Sequence, residues 1–280
     1  MFLYIFAAAL ACPAQRVLLY SPLTRIDPFG EVVKADRGTA EPRDILSPGV
    51  PRNGNTPLRI VVEMDKPETY WLEIGQNPAD SLGVKLWKEV FVETPAGWIP
   101  DTLEEVSHPY RGFVSDFKLP GQKIVSFWLE LTVPKNADVD RMKVEPQMYV
   151  DSLKDWIIYP MEVRIHPPQL PDAKPSGVGG PLPALTAPAD AALHSVLCGN
   201  TQKTVRSGQL TNRERLRDYA SQDLTLLKNR AELEPLFLKV AGATDLTPWC
   251  TSPKTLSVGP EWYLRLRDAI YRAASTEPLR

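Results

Sequence analysis

Residues 167–188 read PPQLPDAKPSGVGGPLPALTAP, seven prolines and three glycines in 22 positions with almost no large apolar side chain. Proline fixes φ and has no N–H, so such a run cannot form a helix interior or a central strand. Its prolines favour polyproline II geometry at about 3.1 Å per residue, and Gly177–Gly180 supply a flexible joint. The stretch therefore reads as an extended linker between two unlike halves, 16–166 and 189–280. A length of 280 residues agrees with about two domains.

Before the linker, apolar runs rich in β-branched and aromatic residues alternate with proline: 58–64, 69–75, 84–93, 123–133, 141–150 and 156–165. Their length and composition are those of strands. Weaker strand signals lie near 31–34 and 111–117. From Ser126 to Thr132, Phe127, Leu129 and Leu131 share one face, while Ser126, Trp128, Glu130 and Thr132 share the other, so one buried and one mostly solvated face is expected. Pro57, Pro67, Pro78, Pro95, Pro120 and Pro134 stand at strand edges. Pro146 and Pro160 interrupt runs and call for edge strands or bulges. The expectation is an antiparallel β-sandwich over 16–166 of the immunoglobulin or fibronectin III kind, with a jelly roll as the other topology. No immunoglobulin-type spacing of Cys and Trp accompanies it.

After the linker the period becomes helical. Pro188 can open a helix that Gly199 ends. The run Thr211, Asn212, Arg213, Glu214 forms a capping box, followed along one face by Leu216, Ala220, Leu224, Leu227 and Ala231. A short helix over Pro235–Val240 should stop at Gly242, and Pro260 should open a last one carrying Trp262, Leu266, Ala269, Ile270 and Ala273. The expected fold class is thus β plus α in two domains, the second a small helical bundle.

Residues 1–15 begin with eleven uncharged, mostly apolar residues ending at Ala11, too short to cross a bilayer but long enough for a signal-peptide core. Lipidation at Cys12 is disfavoured, because Ala9 stands where the lipoprotein motif has leucine. Beyond this leader two cysteines remain, Cys198 and Cys250, an even pair that suits one disulfide in an exported chain. The expected location is extracytoplasmic, periplasmic or secreted.

Phosphate-loop, dinucleotide, zinc and nucleophile-elbow signatures are absent, so no catalytic residue, metal site or cofactor is assigned. The three histidines, His108, His166 and His194, read as structural. Carboxylate pairs such as Glu89 with Glu93, or Glu104 with Glu105, carry no discriminating weight. Asn136, Asp138 and Asp140 read as a solvated turn. A net charge of −2 offers no field for nucleic acid. Aromatic residues are the better lead: Trp98 in a proline-flanked loop, Trp128 on the outward face of its strand, and Gln76 with Asn77 in a turn are the candidate binding residues. The expected function is a non-catalytic binding or assembly protein of the cell envelope, with a protein or polysaccharide partner. Alternatives are a carbohydrate-binding module that uses an exposed Trp, and a hydrolase with carboxylates on the sandwich.

Overall fold

A computed structural model describes residues 15–37, 46–172, 197–198, 211–227, 230–251 and 262–276. The period-two segments pair into two sheets, and helices occupy the C-terminal part. The strands are β1 (Arg16–Tyr20), β2 (Gly49–Arg52), β3 (Asn55–Glu63), β4 (Tyr70–Asn77), β5 (Gly83–Thr94) and β6 (Gly97–Val106). They continue with β7 (Tyr110–Gly112), β8 (Ile124–Thr132), β9 (Arg141–Val150), β10 (Asp155–Ile158) and β11 (Met161–Gln169). One sheet runs β1-β3-β8-β5-β6; the other runs β2-β11-β9-β4-β7, with β10 also paired to β9. Inward-facing Ile60, Val62, Phe127, Leu129, Leu72, Met148 and Val163 fill the space between them. The pairing is antiparallel except at one edge, where β2 lies parallel to β11, a departure from the all-antiparallel expectation. Chain segments so distant in sequence can meet in either direction, whereas hairpin neighbours must run antiparallel.

Proline placement follows the missing N–H. Pro146 sits inside β9, a strand flanked on both sides, opposite the point where β10 gives way to β11. Its carbonyl accepts from the Tyr159 amide (2.9 Å), so its nitrogen faces the break at Tyr159–Pro160 rather than a regular ladder. Pro57 lies inside β3 rather than at its edge, beyond the reach of β1, which pairs with β3 only over Arg59–Glu63. Pro100 stands at the register shift between β5 and β6. β11 continues through Pro167 and Pro168 to Gln169, and Leu170 is buried. Ordered sandwich therefore extends past the expected boundary at 166, because the β11–β2 pairing also shifts register there and tolerates the prolines. The rest of the linker, 173–188, and the leader, 1–14, lie outside the described residues.

The helices are α1 (Asn212–Asp223), α2 (Arg230–Ala241), α3 (Thr247–Thr251) and α4 (Trp262–Thr276). The long stripe expected from Leu216 to Ala231 is broken, since α1 ends at Asp223, a 3-10 turn follows over Leu224–Leu226, and Ala231 is exposed in α2. α2 starts five residues before Pro235, which lies within it, and ends at Gly242, whose φ of +65° suits a glycine. Of the helix expected over 188–199, only Leu197 and Cys198 are described.

Trp128 and its neighbours overturn the expectation of a solvated outer face on β8. Ser126, Trp128 and Glu130 are buried as completely as Phe127 and Leu129. Trp87, Leu103 and Trp128 of this outer face join Leu216, Phe237, Trp249, Leu266 and Ile270 of the helices in one hydrophobic cluster. A helical part too small for a substantial core of its own thus completes it on the sheet.

Candidate functional site

Alternation in the other sheet leaves an aromatic face in solvent. In β4, Tyr70, Leu72 and Ile74 point inward, which sends Trp71 and Glu73 outward. β9 buries Met148 and Val150, so Tyr149 and Gln147 stand on the same outer face, as do Trp156 and Ile158 on either side of Ile157 in β10. Register then aligns them. Arg111 lies opposite Trp71, Trp71 opposite Tyr149, and Tyr149 opposite Trp156, giving one row across four strands. A second row contains Glu73, Gln147 and Ile158.

The rings pack along the row without closing it. Tyr149 and Trp156 have centroids 5.3 Å apart at a tilt of 54°. The Arg111 guanidinium carbon lies 5.4 Å from the Trp71 ring centre and 5.7 Å from that of Phe113, within cation–π range. Trp71 remains 38% exposed and Trp156 42%. Eight large apolar side chains are exposed among the described residues, and six of them, Trp71, Phe113, Val114, Leu153, Trp156 and Ile158, belong to this face or to the turns bordering it. Scattered exposed apolar residues are ordinary; a cluster on one sheet face marks an interaction surface.

The residues expected to bind fall elsewhere. Trp128 is fully buried, so no ligand reaches it; the helices cover its face. Trp98 is the second residue of β6 rather than part of a loop, is half-buried, and sits opposite Glu93 in the β5–β6 hairpin. Gln76 holds the turn that follows β4, accepting from the Leu82 amide (2.8 Å) and donating to the Leu82 carbonyl (3.1 Å). Its neighbour Asn77 is exposed at the end of β4. The structure does not bring Trp98 and Trp128 together into one surface. Trp71 and Trp156 were legible as strand tryptophans, and the alternation applied to β8 would have placed Trp71 outward as well. Their alignment needed the register of β4, β9 and β10.

The covered face of the first sheet holds charge of a structural kind. Arg59 donates through Nε and Nη2 to both oxygens of Glu89 (2.7 and 2.8 Å), with both side chains at 0% exposure. Ser126 and Asn212 also donate to Glu89, and Arg59 Nη1 donates to the Pro22 and Thr24 carbonyls. Alongside, Arg215 pairs with Glu130 and lies over Trp87 and Tyr219. Burial pushes the Glu130 carboxyl above its ordinary pKa, and Arg215 offsets part of that rise. A second buried group sits on the helices, where Tyr263, Tyr271 and Arg267 all donate to Asp223 and Arg267 also donates to the Asn55 carbonyl. Burial works against the Arg267 charge, but Asp223 and the two phenols outweigh it and hold the pKa above the usual arginine value. These pairs tie the helices to the sheet and lie mostly out of reach of solvent.

Cys198 and Cys250 are disulfide-bonded, with Cα atoms 5.5 Å apart. Asn136, Asp138 and Asp140 lie in an exposed turn, and among the described residues no group of three or more His, Cys, Asp or Glu side chains is placed to hold a metal ion. No described helix is long and apolar enough to cross a membrane.

No known protein family matches the chain, and neither does any curated protein. Among solved structures it is similar to a family 123 glycoside hydrolase from Clostridium perfringens at 11% identity and a TM-score of 0.39, covering 56% of this chain and 28% of the hydrolase. It is also similar to PapD-like domain 7 of human CEP192, at 6% identity and TM-score 0.27, with 61% and 99% covered. A third likeness is to the CooA pilin subunit from enterotoxigenic Escherichia coli, at 9% identity and TM-score 0.29, with 55% and 99% covered. At these scores no function passes from them to this chain.

Proposed function

We propose that the chain is a non-catalytic binding or assembly protein of the cell envelope, exported behind a leader at residues 1–15, and that it meets its partner through the outer face of the β2-β11-β9-β4-β7 sheet. The aromatic row Arg111, Trp71, Tyr149, Trp156 carries the reading, because it gathers exposed rings that the fold itself does not need. The disulfide supports the location, since such bonds persist in oxidising compartments. The partner is a protein or a polysaccharide of the envelope. The division into a sandwich that runs on through Leu170, a linker beyond it up to 188 and a helical part over 189–280 belongs to the same proposal, with the two parts acting as one unit through their shared core.

The test is made in the native cell. Parent protein should be retained with envelope material, its two cysteines inaccessible to an alkylating reagent until reduced. The Trp71→Ala/Trp156→Ala double variant should keep the disulfide and near-ultraviolet circular dichroism of a folded chain yet appear in the soluble fraction. Free thiols in intact cells would overturn the location, and unchanged retention of the folded double variant would overturn the role of this face.

A further inference from the structure

Resting on that reading of the face, the geometry points to its occupant: we propose that the row takes a neutral, β-1,4-linked glycan chain lying across the strands. Trp71 and Trp156 stand two strands apart in register, about 9.5 Å at the usual strand spacing. Alternate sugars of an extended β-1,4-linked chain recur at close to that distance and present the same ring face, so both tryptophans can meet one chain, with Tyr149, its ring tilted by 54° to that of Trp156, bordering the sugar between them.

The second row supplies what the sugar edges require. A pyranose offers apolar C–H faces and a rim of hydroxyls, and here aromatic rings are bordered directly by hydrogen-bonding groups, Glu73 and Gln147 in the adjacent row and Arg111 at the end of the first. The core of a protein interface is depleted of charge and desolvated, whereas these polar groups sit among the rings in water. Charge decides the class of sugar. Arg111 and Glu73 stand in adjacent rows, and further along the face Lys143 is ion-paired with Glu145 (2.6 Å) and Arg141 with Glu162 (3.2 Å), so beside the aromatic row neither sign dominates to favour uronates or other anions.

Cellohexaose, xylohexaose and chitohexaose are the probes, titrated into the full disulfide-bonded chain with tryptophan fluorescence and calorimetry as readouts. Saturable binding of at least one is expected. Trp71→Ala and Trp156→Ala should each weaken it about tenfold or more, as loss of a central aromatic contact does, while Trp98→Ala leaves it unchanged. Glu73→Gln, which keeps packing and removes charge, should weaken binding less than either Trp substitution, and near-ultraviolet circular dichroism of each variant checks that a loss does not come from misfolding. Binding that survives both Trp substitutions would overturn the proposal. So would no response to any hexasaccharide; if the double variant is nevertheless released from envelope material, the face stands as a binding surface and its partner is a protein. Unchanged retention of that variant would remove the face and the glycan together.

Discussion

Glu89 concentrates the energetic risk of this chain in one carboxylate. Its side chain is wholly buried with Arg59, Ser126 and Asn212 around it, and a buried charge that loses its partner costs about 3–5 kcal/mol. Arg59→Met should therefore lower the unfolding free energy by about that amount, measured by urea denaturation. Arg59→Met/Glu89→Leu should cost less than the single change, because it removes the stranded charge; a double variant as unstable as the sum of the singles would refute this account. His108 is a second sensitive point, since its Nε2 accepts from the Ile74 amide (2.9 Å) just where β7 has stopped pairing with β4. Burial lowers the pKa of His108, and burial followed by Arg164 and Arg272 lowers that of His166. Folded values below the unfolded value of about 6.5 mean that the stability is fully present above that pH and is lost as pH falls below it. Protonation also turns Nε2 into a donor facing another donor. Thermal midpoints should therefore fall between pH 7.5 and 5.5, and His108→Gln, whose amide oxygen can accept at every pH, should flatten part of that fall.

At the scale of elements, β7 shows how little sequence an edge strand needs. It has three residues, and Gly112 earns its place by space: a Cβ there would lie 2.1 Å from the ring of Tyr70, which is fully buried. Gly112→Ala should cost about 1–3 kcal/mol, the range for overpacking, and should speed hydrogen exchange at Tyr70 and Leu72, whose amides face β7 as that of Ile74 faces His108; exchange unchanged there would show that Tyr70 can move aside. Of β2, β6 and β7, only β7 left a trace beforehand, a weak signal over 111–117 that overlaps it at Arg111 and Gly112 and runs on into a 3-10 turn over Val114–Asp116. β2 and β7 are too short to show a period, and β6 is polar and holds Pro100, so none resembles the apolar runs that revealed β3, β4, β5, β8 and β9. The run at 156–165 was legible as strand, and its proline marked the break between β10 and β11. Period-two alternation also assigned the inward face of β8 correctly, and the same pattern describes β4. What it could not supply was the cover on each outward face. On β8 that cover comes from helices more than 80 residues later, which is why Trp128 read as a surface residue and is not, while Trp71, on β4 of the other sheet, is.

For the whole molecule, the shared cluster makes the two halves thermodynamically dependent. Trp87, Leu103 and Trp128 reach the helices across the sheet face, and Asn212, Arg215 and Arg267 reach back to Glu89, Glu130 and the Asn55 carbonyl. Neither side of that interface is satisfied alone: the sheet would expose two tryptophans, and Asp223, Arg267 and their tyrosines would lose the strand they rest on. Unfolding of the oxidised chain should therefore be a single transition, with tryptophan fluorescence and far-ultraviolet circular dichroism giving coincident curves in urea. A truncation after Asp172, which keeps all eleven strands, should bind a hydrophobic dye and associate in solution, because it uncovers a large apolar patch beside the Arg59–Glu89 pair. The opposite result, a monomeric truncation that unfolds at the same urea concentration as the full chain, would mean that the sandwich stands alone and that the helices are an independent unit. The partner face on the other sheet sets a control, since Trp71 and Trp156 lie away from the cut and the truncated chain should show glycan quenching only to the extent that its sandwich remains folded.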